Sequence, residues 1–151
     1  MICYAKITIN KKEIYINVMI DTGNFLREPI TKLPVMVVEK DSLYEIIPKS
    51  ILDNLDRIIN GEDIEIGNYI SKIRLIPFTS LGKENGILIG IKADMVLIQR
   101  DEKNISIDNV IVGIYNGVLS KNGKYHGLIG LDMLEEKEGG INNEYIRNIK
   151  I

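Results

Sequence analysis

The residues best equipped for chemistry form a short stretch, Asp21-Thr22-Gly23-Asn24, directly after the apolar run Val18-Met19-Ile20. A carboxylate at a strand end can take or give a proton, a neighbouring hydroxyl can brace its loop, and glycine lets backbone approach closely. The same types also make an ordinary strand-end turn. Asp-Thr-Gly arises by chance in roughly one chain in thirty of this length, so the tripeptide alone leaves both readings open. Asp132, close to Gly130, is a second carboxylate and reads as the cap of the short helix that follows it. Ser80 and Lys83 have the types of a Ser–Lys dyad but fall in a polar hairpin tip with no nucleophile turn. The run G-K-E-N-G-I-L-I-G (Gly82 to Gly90) holds three glycines yet leads into a strand, whereas a phosphate loop opens a helix. His126 stands at a loop-to-strand junction and reads as solvated or hydrogen-bonded, and Cys3 lies in the first strand without a partner cysteine. One Cys and one His exclude a disulfide framework and leave too few ligands for zinc, so no metal and no cofactor is expected.

The elements that must position Asp21 are mostly strands. Among 151 residues there are 30 Ile and 8 Val against 2 Ala, a surplus of β-branched side chains over the best helix former. Cys3 to Ile9 and Glu13 to Ile20 form a hairpin about Asn10-Lys11-Lys12, and Asp21 follows its second strand directly. Val35 to Glu39 is a further strand. Asp41 and Ser42 can cap a helical stretch holding Leu43, Ile46 and Ile47, and a second helix over 49–60 carries Ile51, Leu55, Ile58 and Ile59 at helical spacing. Strands are expected at 69–78, 87–92, 94–100 and 109–115, with Thr79 to Gly86 as a long hairpin tip between the first two. Gly127 to Gly130 is a strand turning into a short helix, and Glu144 to Ile151 can make a last strand. No internal repeat or second domain is visible, so 1–151 reads as one domain with enough material for a core. A net charge of −2, no Trp and no basic run argue against nucleic acid. No apolar run has the length of a membrane span, and the N-terminus lacks a signal-peptide pattern.

Context gives Asp21 a specific reading. About a hundred residues after Asp-Thr-Gly comes Leu128-Ile129-Gly130, continuing as Leu131-Asp132-Met133-Leu134. This pairing resembles the half-site of retropepsin-type aspartic proteases, in which an apolar-apolar-Gly strand packs under the catalytic loop. A closer resemblance covers nearly the whole chain. The runs D-T-G-N-F-L-R-E-P-I-T-K-L-P-V (Asp21 to Val35) and I-P-F-T-S-L-G-K-E-N-G-I-L-I-G-I-K-A-D (Ile76 to Asp94) resemble the sporulation sigma-E factor-processing peptidase family. In that family a membrane-embedded N-terminal region carries a cytoplasmic aspartic protease domain that removes the pro-sequence of a sporulation sigma factor. The resemblance implies that the chain is the C-terminal protease domain without the membrane part, either as a piece of a longer protein, which the long specific runs favour, or as a stand-alone relative.

The resemblance implies an all-β acid-protease lobe, closed and barrel-like, with two or three short helices. Two carboxylates would share one proton and hold a water between them, one as base and the other as acid, because like charges so close cannot both ionise. Asp21 is then the catalytic residue, Thr22 bonds across to the partner loop, and Gly23 and Asn24 complete the active-site loop. Asn24 departs from the Ala or Ser of most retropepsins but matches the sporulation peptidase. Leu128, Ile129 and Gly130 support the loop. Thr79, Ser80, Leu81, Gly82 and Gly86 form the flap, although Lys83 and Glu84 replace the glycine-dense tip of viral enzymes. One Asp-Thr-Gly per chain requires a homodimer, with Glu144 to Ile151 and the first hairpin as candidate pairing edges. The implied partner is a sigma factor precursor. The implied location is the cytoplasmic face of the cell membrane for the full-length protein, with this domain itself soluble. Two other readings stand beside this one: a retropepsin-like protease with another cytoplasmic substrate, and a catalytically silent β-domain for protein interaction.

Overall fold

The computed structural model describes residues 1–79 and 85–134. Strands β1 (Ile2–Ile9) and β2 (Lys12–Asp21) form the expected hairpin. Asn10 and Lys11 both have positive φ, 51° and 66°, as a tight two-residue turn that follows strand twist requires. Alternate residues Ala5, Ile7, Ile14, Ile16 and Val18 are buried, so one face of the hairpin enters the core. The remaining strands are β3 (Val35–Glu39), β4 (Ile73–Thr79), β5 (Asn85–Lys92), β6 (Met95–Arg100), β7 (Lys103–Ile107), β8 (Ile111–Tyr115) and β9 (Gly127–Gly130). They make one nine-stranded sheet in the order β4-β5-β8-β3-β9-β2-β1-β6-β7. Strands β3 and β8, buried along nearly their whole length, are runs of Val, Ile and Met, as expected of strands covered on both faces.

The all-β class holds, but the sheet is open and not a closed barrel. Closure would need β4 to pair with β7, and these two strands are the edges. Both carry features suited to an edge: β4 contains Pro77, which has no N–H to donate, and β7 presents Lys103, Asn104 and Ser106. The expected helix over 49–60 is two pieces, α1 (Lys49–Leu52) and α2 (Leu55–Ile59), interrupted at Asp53-Asn54. Asp41 and Ser42 cap no helix but lie inside a 3-10 turn, Lys40–Ser42, and Leu43, Ile46 and Ile47 follow it outside any helix; the strand expected from 69 begins at Ile73 after a second 3-10 turn, Gly67–Ser71. The expected last strand and most of the hairpin tip lie outside the described residues.

The main core joins β1, β2 and β6 to Leu43, Ile46, Ile47, Ile51, Leu52 and Leu55. A smaller cluster of Val35, Ile76, Leu88 and Ile111 lies under the β4–β5 hairpin, with Leu26, Val37, Phe78 and Tyr115 packed against it. This second cluster is the floor on which the Asp21 cleft is built. Among the described residues no helix is long and apolar enough to cross a membrane.

Candidate active site

Asp21 is the last residue of β2, and β2 pairs in parallel with β9 so that Asp21 stands opposite Gly130. The chain turns at once: the Gly23 N–H donates to Asp21 Oδ1 at 3.0 Å, and the Asn24 N–H donates to the Asp21 carbonyl at 3.1 Å. The Leu26 N–H then donates to Asn24 Oδ1 at 3.0 Å, so the loop is built from successive side-chain-to-backbone bonds. Gly130 is required here for space. A Cβ at this position would strike the backbone carbonyl oxygen of Asn24, so only a glycine lets β9 press against the loop. The three residues expected to support Asp21 are thus brought beside it: Leu128 lines the same cleft, Ile129 is fully buried and Gly130 touches the loop backbone. Asp21 is half-buried, whereas Thr22 and Gly23 are exposed.

Asp21 opens onto a cleft of about 560 Å³. Apart from Asp21 and its loop, the walls are mainly apolar: Leu26, Val37, Leu119 and Leu128, with Phe78 and Leu88 from the hairpin. Thr79, at the end of β4, lines it too. Gly86 contributes by leaving room: a Cβ there would meet the Phe78 ring at 2.6 Å. Ser80, Leu81 and Gly82 lie outside the described residues, as do Lys83 and Glu84. Walls of this kind suit an apolar group.

Several residues that hold this cleft are silent in the sequence. Asp132 does not line the Asp21 cleft; its Oδ2 accepts from Arg27 at 2.9 Å, tying the chain after β9 to the loop after Asp21. Glu28 is buried, and its Oε2 accepts the N–H groups of Ile30 and Thr31, both at 2.6 Å, and the Thr31 hydroxyl at 3.1 Å. Its Oε1 lies 3.7 Å from Arg74 on β4. The Thr31 N–H, then the other donors and Arg74, outweigh burial and hold the Glu28 carboxyl below its usual range. Glu39 is also buried: its Oε1 is 2.7 Å from His126 Nδ1, and its Oε2 accepts the Leu119 N–H at 2.6 Å. His126 is therefore hydrogen-bonded, as one of its two expected states. Cys3 is buried in the core. Pairs such as Arg27–Asp132 and Glu39–His126 lie 105 and 87 residues apart, and no local periodicity announces them.

Residues 1–133 match the family described as sporulation factor SpoIIGA. The chain belongs to that family. Among its curated members, the sporulation sigma-E factor-processing peptidase of Priestia megaterium is 35% identical over 128 residues, 83% of this chain and 41% of that protein. The peptidase of the same name from Bacillus subtilis is 32% identical over 133 residues, 85% of this chain and 43% of that protein. A shorter relative from Bacillus thuringiensis subsp. kurstaki, also named for sporulation sigma factor processing, is 31% identical, and the match spans 82% of its length. The chain therefore spans about two-fifths of the first two SpoIIGA relatives, and the matched part contains both Asp21 and Gly130. No solved structure matches the chain.

Proposed function

We propose that this chain is the protease half-site of an aspartic endopeptidase that removes the pro-sequence from a sporulation sigma factor precursor. The observation that carries the reading is the placement of Asp21: a carboxylate on a turn pressed against Gly130, at the floor of an apolar cleft flanked by a hairpin. The names of its SpoIIGA relatives supply the substrate class.

One carboxylate is not enough for this chemistry. Each chain offers one Asp-Thr-Gly turn, so two chains bring their Asp21 carboxylates together across a two-fold axis, with a retropepsin-like lobe contributed by each. The pair shares one proton because two negative charges at such separation repel strongly. The ionised Asp21 takes a proton from the water as it attacks the peptide carbonyl, and the protonated Asp21 gives its own to the substrate. In this reading Thr22, exposed beside Asp21, bonds to the partner's loop. The hairpin covers the extended substrate and excludes water. In the full-length protein the domain works at the cytoplasmic face of the membrane, held there by a region outside this chain, and tethering raises its local concentration.

Co-expression with a sigma factor precursor and N-terminal sequencing of the product test the reading. Cleavage at one site, abolished by Asp21→Asn in a folded chain, is the expected result. A folded wild-type chain that leaves the precursor intact while cutting unrelated proteins at an Asp21-dependent site would keep the chemistry and overturn the substrate.

A further inference from the structure

The loop between β8 and β9, residues 116–126, contains no strand or helix, yet it forms part of the cleft wall through Leu119. Its tip is open to solvent, with Val118 70% exposed. At its base the loop closes on itself: Lys124 N–H donates to Ser120 Oγ at 3.2 Å, and Ser120 Oγ and Asn122 Oδ1 are 2.6 Å apart. On the cleft side a carboxylate ties the loop to the sheet, while within the loop the Tyr125 hydroxyl donates to the Leu119 carbonyl at 3.5 Å. Glu39, at the end of β3 and only 6% exposed, receives the Leu119 N–H on one oxygen and faces His126 with the other. Its own N–H donates to the His126 carbonyl at 2.9 Å, and the His126 N–H donates to Asn17 on β2. A carboxylate this buried is costly unless each oxygen is satisfied. Here the residues that satisfy it are Leu119, beside the loop's tip, and His126, at its end. Glu39 meets the cleft wall in two ways, through its carboxylate to Leu119 and through its backbone register with Tyr115 on β8.

We propose that Glu39 is a positioning residue for specificity: braced by His126, it fixes Leu119 in the wall of the Asp21 cleft and so sets the apolar substrate side chain that the cleft accepts. The inference rests on the reading of this cleft as peptide-binding. Leu119, with Leu26, Val37 and Leu128, shapes a pocket for an aliphatic or aromatic side chain. Released from Glu39, the loop would leave that wall undefined while Asp21 and Gly130 keep their places. The consequence is loss of selectivity, carried in KM, with kcat preserved. Gln at position 39 can still accept the Leu119 N–H and donate to a neutral His126, so Glu39→Gln rescues the wall.

Two arms test this in the 151-residue chain. In the first, a peptide library is digested by wild type, Glu39→Gln, Glu39→Ala, Leu119→Ala and the Glu39→Ala/Leu119→Ala double variant, and cleavage preferences are read by mass spectrometry. Wild type and Glu39→Gln should share one apolar preference. Glu39→Ala and Leu119→Ala should each reduce it about tenfold in kcat/KM, with kcat within about twofold, and the double variant should lose little more than either single one. Preference kept in Glu39→Ala but lost in Leu119→Ala overturns the proposal, as does full additivity. The second arm needs no cleavage: amide hydrogen exchange at Leu119. Protection lost in Glu39→Ala and kept in Glu39→Gln, with β3 and β8 still protected, is the expected result; unchanged protection in Glu39→Ala overturns the brace. A wild-type chain that cuts nothing counts against the protease reading, and the exchange arm alone then decides whether Glu39 holds the wall.

Discussion

Replacing Gly130 by Ala isolates the contact between β9 and the Asp21 loop. A Cβ at this position would overlap the Asn24 carbonyl oxygen, and would also stand 2.5 Å from Asp132 Oδ1. The first obstacle is backbone and cannot rotate away, so the loop must withdraw. Overpacking of this kind costs about 2 kcal/mol, within the usual range of 1–3, which lowers Tm by about 4–8 °C for a chain of this size. The effect on rate is larger. Asp21 and Asn24 share one turn, bonded N–H to carbonyl at 3.1 Å, so a shift on the order of 1 Å passes to the carboxylate, where misplacement of that size costs about 100-fold. Gly90→Ala on β5 is the matched control. Its Cβ would meet the tip of Ile76 and Ile111 Cγ2, both side-chain atoms in the cluster beneath the hairpin. It should lose similar stability but, because it disturbs the cleft floor and not the Asp21 loop, lose far less activity when folded than Gly130→Ala. The assay is the initial rate of precursor cleavage per mole of folded chain, with the folded fraction taken from circular dichroism. A Gly130→Ala rate equal to wild type would show that β9 does not hold the loop. Equal losses in Gly130→Ala and Gly90→Ala would show that stability alone explains the effect.

Asp21→Asn should keep Tm within a few degrees and remove cleavage, since the amide cannot take the water's proton; a tenth of wild-type turnover remaining there, with Asp132→Asn inactive, would assign the wrong carboxylate. Asp132→Asn should instead cost at most about 1 kcal/mol, because its ion pair with Arg27 is partly solvated at side-chain exposures of 31% and 25%, and it should still cleave. Glu28 has a folded pKa below its unfolded value, so the stability it adds is present above about pH 4.5 and disappears as pH falls through the lower folded value. Urea midpoints of wild type and Glu28→Gln should therefore differ most at neutral pH and converge in acid; a gap independent of pH would contradict the ion's role. Specific activity should rise with enzyme concentration if two chains share the site, and a monomer of constant specific activity at high concentration would defeat the half-site argument.

What the sequence made legible was whatever has a local signature. The β1–β2 hairpin announced itself through partial alternation, and the turn at Asp21 through Asp, Gly and Asn in succession. The placement of Gly130 beside Asp21 came from resemblance, and the register of β2 with β9 shows the steric reason for it. Strand β7 was not expected because its connection from β6 turns at Asp101 and Glu102, both at positive φ without a glycine to mark them. The break between α1 and α2 was hidden because Ile51, Leu55 and Ile58 keep helical spacing across Asp53-Asn54. The barrel expectation failed because edge pairing is a property of strands far apart in the chain, which no window of sequence reports. Glu28 and Glu39 were invisible for a related reason: a buried carboxylate looks like any surface glutamate until its donors are seen.

The order of the sheet bears on the width of the cleft. Four inter-strand steps, β2-β9-β3-β8-β5, separate the strand that ends in Asp21 from the inner strand of the hairpin. Each step in a sheet rotates the strand axis by about 20–25°, so these four accumulate roughly 80–100°. Phe78, Thr79 and Leu88 line the same cleft as Asp21, as a sheet turned through such an angle allows. The gap between hairpin and carboxylate is thus an angular quantity, set in part by strands at the centre of the sheet. Gly113 on β8 and Gly127 on β9 lie in those intervening ladders, where an added Cβ would meet Val35 Cγ1 at 2.9 Å and Val18 Cγ1 at 3.0 Å respectively. Their tight packing acts as a stop on the rotation. A methyl group introduced there would splay the ladder and open or close the jaws from a distance, so the middle of this sheet is tuned for an angle as much as for stability.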